Sequence, residues 1–84
     1  MNYEVIFSKQ PQDFLDKLDN SVRYIVIKKL EKLKENPHLG EPLTGNLSGL
    51  RKLRTDKYRI IYKIVHQELL VLVVEMGHRK NVYD

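Results

Sequence analysis

Six cationic side chains, Arg51, Lys52, Arg54, Lys57, Arg59 and Lys63, crowd between positions 51 and 63 with a single acid, Asp56, among them. Cations at that density repel one another and draw polyanions by steering and counterion release, so nucleic acid is the leading class of partner. The plainer alternative is a solvated strand whose Lys and Arg blunt a sheet edge. A second group lies in GHRKNVYD, where His78, Arg79, Lys80 and Tyr83 follow Gly77, a residue that lets the chain bend as it leaves a strand. Side chains at the end of a rigid sheet are well placed to form a site.

Other chemistries are absent from the composition. There is no cysteine, which removes disulfides, iron–sulfur clusters and thiol catalysis together. His38, His66 and His78 lack metal-ligand spacing, so no zinc site is expected, and His38 and His66 read as plain surface. No carboxylate dyad stands near the cations, and Glu75 reads as a partner for a neighbouring cation. The 84 residues are 42% hydrophobic and 31% charged, the balance of one small globular domain spanning 1–84. The formal charge is +4. Residues 1–50 are balanced at seven basic to seven acidic, and residues 51–84 hold eight to four. The longest apolar run, Leu69 to Val74, is far too short to cross a bilayer. MNYEVIF does not read as a secretory leader, and a cysteine-free chain suits a reducing cytoplasm.

The elements that would position these groups follow from periodicity. Tyr3–Phe7 alternates as a short strand. Ser8 is placed to cap a helix carrying Phe14, Leu15 and Leu18, with Pro11 in its first turn. Asn20 or Ser21 caps a second helix, whose Val22, Val26, Leu30 and Leu33 form one stripe before Asn36-Pro37 stops it. Residues 36–49 hold two of the three prolines and three of the four glycines, and read as a connecting loop. Leu50–Thr55, Tyr58–Val65 and Leu69–Met76 are strands joined by short turns, hence antiparallel neighbours. The expected fold is α+β, in the order β-α-α-β-β-β, with a helical hairpin on one face of a small antiparallel-rich sheet. Tyr58, Ile60, Tyr62 and Ile64 then face the helices, and Arg59, Ile61 and Lys63 the open side. If Lys52 and Arg54 fall beside Arg59, three cations converge with no acid between them, an arrangement that expects an anion.

LRKLRTDKYRIIYKI followed by VVEMGHRKNVYD, after KLEKLKENPHLGEPLTGNLSGLRKLR, resembles the RelE side of the RelE/ParE toxin superfamily, in its compact archaeal form, over nearly the whole chain. The resemblance implies a RelE/microbial-RNase-like fold and a toxin that cleaves messenger RNA in the ribosomal decoding site, held inactive by a cognate RelB-like antitoxin in a hetero-oligomer. It places the family's two sheet arginines on Arg59 and Arg79, the second of its paired lysines on Lys52, and its tyrosine on Tyr83. The first paired lysine falls on Leu50, leaving Arg51 or Arg54 to take its place. Metal-independent cleavage would use the RNA 2′-hydroxyl as nucleophile and needs no cofactor. Arg59 and Arg79 would stabilise the phosphorane, and Lys52, Tyr83 or His78 would move protons. Arg51, Arg54, Lys57, Lys63 and Lys80 would hold RNA.

Two other functions fit the same residues. One is a ParE-like toxin of the same fold that poisons DNA gyrase without cutting RNA. The other is a non-enzymatic RNA-binding module, which would keep the salt-dependent affinity and lose the cleavage.

Overall fold

The computed structural model describes residues 2–55 and 57–78. Strand β1 (Glu4–Phe7) leads into helix α1 (Lys9–Asp16) and helix α2 (Asn20–Glu31), which continues as a 3₁₀ turn over Lys32–Lys34. A two-residue strand β2 (Glu41–Pro42) follows, then β3 (Arg51–Arg54), β4 (Tyr58–Val65) and β5 (Leu70–His78). The sheet order is β1-β5-β4-β3-β2, antiparallel except where β1 pairs parallel with β5. The expected two-layer α+β plan is present, with one strand more. Glu41-Pro42, inside the expected loop, pairs with Lys52 and Arg51 at the sheet edge. Proline is tolerated there because an edge strand has one side without ladder bonds.

The helical stripe forms as its spacing predicts. Val26, Leu30 and Leu33 are buried, with Val22 packed against them, and Leu15 of α1 joins the same core. Their sheet partners are Leu53, Tyr58, Ile60, Tyr62, Val71, Val73 and Met76. Burying such a leucine is worth about 1.5–3 kcal/mol, so these few side chains carry most of the fold. The cap expectations are corrected. Ser8 occupies the N-cap of α1 but makes no capping bond. Its hydroxyl lies 3.1 Å from the Val73 carbonyl and 3.3 Å from that of Val74. Asp19, not Asn20 or Ser21, is the N-cap of α2.

The ladder between β4 and β5 slips once. Ile61 opposes Glu75, yet Tyr62 opposes Val73, so Val74 is an extra residue on β5. Val71 and Val73 point into the core, and simple alternation would send Glu75 after them. The bulge reverses the parity: Glu75 emerges on the open face and Met76 takes the core position.

Candidate nucleic-acid interface

The open face is built by strand register. Arg54 stands directly opposite Arg59, and Lys52 opposite Ile61, which puts Lys52 one diagonal step from Arg59. Lys63 lies further along the same side of β4 and is exposed. The three-cation cluster expected from sequence therefore forms. Among the described residues no acid falls between these three in the register, but two acids flank them: Glu41, Lys52, Ile61 and Glu75 form one row across four strands. The bulge supplies Glu75 to that row, and β2 supplies Glu41.

Within the row the environments differ. Ile61 is 3% exposed and Lys52 only 7%, whereas Glu75 and Glu41 are exposed. Lys52 and Arg59 each have a polar or electrostatic partner. Glu75 makes no ion pair among the described residues, where Lys9–Asp13 is the salt bridge formed. Among the described residues no group of three or more metal-ligating side chains converges.

Three expected site residues lie elsewhere. Arg51 pairs with Tyr62, and so faces the helix side. Its guanidinium donates to the Gly40 carbonyl at 3.0 Å and the His38 carbonyl at 3.2 Å, a use that ties down the connecting loop on the side of the sheet away from Arg59. His78 opposes Tyr58, and its ring packs 5.0 Å from Tyr58 and 5.9 Å from Phe14, on the side of the sheet away from Arg59. Lys57 is exposed in the β3–β4 turn beside a cavity of about 150 Å³ that it lines with Val22, Ile25, Val26, Thr55 and Tyr58. Arg79, Lys80 and Tyr83, expected at the site from the sequence, lie outside the described residues.

Behind the cationic face, Tyr62 anchors the loop that passes the end of β3. Its hydroxyl donates to the Pro37 carbonyl at 2.6 Å and accepts from the Gly40 N–H at 2.9 Å. Burial pushes its pKa above the ordinary 10.0, outweighing the Gly40 N–H and the Arg51 charge, which both favour the phenolate. A Cβ on Gly40 would sit 2.7 Å from the Lys52 carbonyl and 2.8 Å from the Tyr62 hydroxyl, so only glycine lets the loop lie this close to β3. His38 and His66, expected as separate surface residues, stack with ring centroids 5.6 Å apart, and Tyr3 bonds His66.

Two helices on one face of a five-stranded mixed sheet, with Arg54, Arg59, Lys52 and Lys63 on the other, define the class as α+β. Residues 5–83 match the family model described as ParE toxin of type II toxin-antitoxin system, parDE. A putative RelE-like toxin protein of Escherichia coli is 31% identical over 91 residues, covering 100% of this chain and 93% of that protein. The mRNA interferase toxin RelE of E. coli K12 is 29% identical over 83 residues, covering 96% of this chain and 87% of that protein. In the crystal structure of the toxin-antitoxin complex RelBE2 from Mycobacterium tuberculosis, one chain superposes with a TM-score of 0.85 at 27% identity, covering 94% of this chain and 100% of that one. The chain belongs to the RelE/ParE superfamily and is a toxin of a type II toxin–antitoxin system.

Proposed function

We propose that this toxin cleaves messenger RNA on the ribosome, with the RNA's own 2′-hydroxyl as nucleophile. The observation that carries the reading is the register of the open face, with Arg54 opposite Arg59 and Lys52 a diagonal step away. In-line attack by the 2′-oxygen leaves a 2′,3′-cyclic phosphate and a free 5′-hydroxyl, and it builds negative charge on the non-bridging oxygens. The reaction as written uses no metal and no cofactor. Arg59 supplies a planar donor fork for that charge, and Arg79 is the second donor in this reading. The ribosome would supply orientation, worth several kcal/mol when the reacting atoms are aligned. The relative named as an mRNA interferase supports the same class of reaction.

A RelB-like antitoxin is the proposed regular partner, as in the RelBE2 complex. The outer side of α2 offers it an apolar surface, with Tyr24 63% and Ile25 61% exposed. Ile25 also lines the cavity beside Lys57.

The test is to add the protein to a purified translation mixture and map mRNA 5′ ends with and without ribosomes. Cleavage that needs ribosomes, and falls about 10²–10³-fold in Arg59→Ala and Arg79→Ala, is the expected result. Intact message with stalled gyrase would favour the ParE-like alternative, which the family description keeps in view. Intact message with tight, salt-sensitive RNA binding would favour the non-enzymatic module.

A further inference from the structure

The bulge at Val74 is fixed in place by two side chains from the start of α1. Pairing of β1 with β5 ends at Phe7 and Val73, which leaves the next residues of β5 without a strand on that side. Ser8 takes over with its N–H, 3.0 Å from the Val73 carbonyl, and with its hydroxyl, shared between the Val73 and Val74 carbonyls. Gln10 then acts as a substitute strand. Its amide nitrogen donates to the Met76 carbonyl and its amide oxygen accepts the Met76 N–H, both at 2.9 Å. The backbone on both sides of Glu75 is thus hydrogen-bonded despite the slipped ladder, and the carboxylate is held on the face of Arg59.

We propose that Glu75 is the proton acceptor for the RNA 2′-hydroxyl, presented by this locked bulge. The inference rests on the RNA-cleaving reading above and places the proton acceptor on Glu75 rather than on Lys52, Tyr83 or His78. Glu75 and Lys52 flank the buried Ile61 in one row, their backbones about 10 Å apart at two strand spacings. A ribose-phosphate laid across this row, above the side chains that cover Ile61, meets the exposed Glu75 carboxylate at one end, the Lys52 ammonium at the other, and Arg59 one diagonal step from each. The 2′-hydroxyl proton passes to the Glu75 carboxylate as the 2′-oxygen bonds to phosphorus. The P–O5′ bond breaks, and the departing oxygen takes a proton from the Lys52 ammonium. Exchange with water then restores both groups. Glu75 is exposed in the free protein, so substrate can reach it.

Glu41 stands at the other end of the row, beyond Lys52, and serves as the comparison. The experiment measures single-turnover cleavage of ribosome-bound message against pH for the full chain, for Glu75→Gln and for Glu41→Gln. Glu75→Gln is expected to slow cleavage about 10²–10⁴-fold and to abolish the rise in rate with pH on the acidic side, while binding the ribosome as tightly as the parent. Glu75→Asp should recover part of the rate, and Glu41→Gln should cleave normally. A Glu75→Gln protein that cleaves at the parental rate, or one that keeps the acidic limb, overturns the assignment while leaving the RNA-cleaving reading intact. A parent protein that cuts no message overturns both.

Discussion

Arg54 and Arg59 face each other across the β3–β4 ladder with no residue between them. Like charges placed directly opposite on a sheet cost stability, and Arg54 makes no ion pair among the described residues to offset that cost. Arg54→Ala is therefore expected to leave the denaturation midpoint unchanged or to raise stability by up to about 1 kcal/mol. The same change should weaken RNA binding and reduce its salt dependence by about one released counterion. Denaturant melts and a salt titration of RNA affinity check the two halves separately. A variant that loses stability and binds RNA as before would mean that Arg54 serves the fold.

Tyr62 makes stability depend on alkaline pH with a definite sign. Its folded pKa lies above the unfolded value, because burial disfavours the phenolate. A group raised on folding contributes stability that is complete below the unfolded value near pH 10 and disappears as pH climbs through the folded one. Tyr62→Phe should unfold more easily at pH 7, by about 1–3 kcal/mol, since the Gly40 N–H and Pro37 carbonyl lose their buried partner. It should also lose stability less steeply than the parent above pH 10. Parallel urea melts between pH 7 and 11 read both effects, and equal slopes in the two proteins would exclude Tyr62 as the source.

Local repetition carried most of what could be read in advance. The Val22–Val26–Leu30–Leu33 stripe and the alternation from Tyr58 to Ile64 are short-range patterns, and both settle on the expected faces. Arg51 lies on the Tyr62 side of that alternation, so its structural use was consistent with its parity even though charge drew it into the RNA-holding set. The features that escaped are non-local. The β1–β5 pairing joins residues 66 apart, and nothing within either strand names its partner. The bulge hides because Leu69 to Val74 are all apolar and show no alternation to interrupt. Its one local mark is that the buried residues step by two from Val71 to Val73 and by three to Met76. Missing that step aims Glu75 into the core and leaves the open face without its carboxylate.

The apolar outer side of α2 allows a partner test independent of catalysis. Ile25 is largely exposed, so Ile25→Asp should alter stability by no more than about 0.5 kcal/mol. If the antitoxin docks here, the same variant should be captured at least about tenfold more weakly by a RelB-like antitoxin that binds the parent, because a carboxylate would be stripped of water at the contact. Titration of the two purified proteins decides it. Unchanged affinity would move the docking surface off α2.

Gln10 touches no cation of the open face, yet it holds the backbone on which Glu75 is aimed. Gln10→Ala should cost about 0.5–1.5 kcal/mol of stability by removing the part-buried bonds to the Met76 N–H and carbonyl. A loss of stability alone would fit any support residue, so the informative quantity is the coupling to Glu75. If Gln10 acts on cleavage only through the position of that carboxylate, Gln10→Ala lowers kcat at unchanged KM in the parent and lowers it no further in a Glu75→Gln background. Such non-additivity is the signature of two residues working as one unit. Additive losses in the double variant would show that Gln10 supports the reaction by some route other than Glu75, and would detach the bulge from the proton transfer.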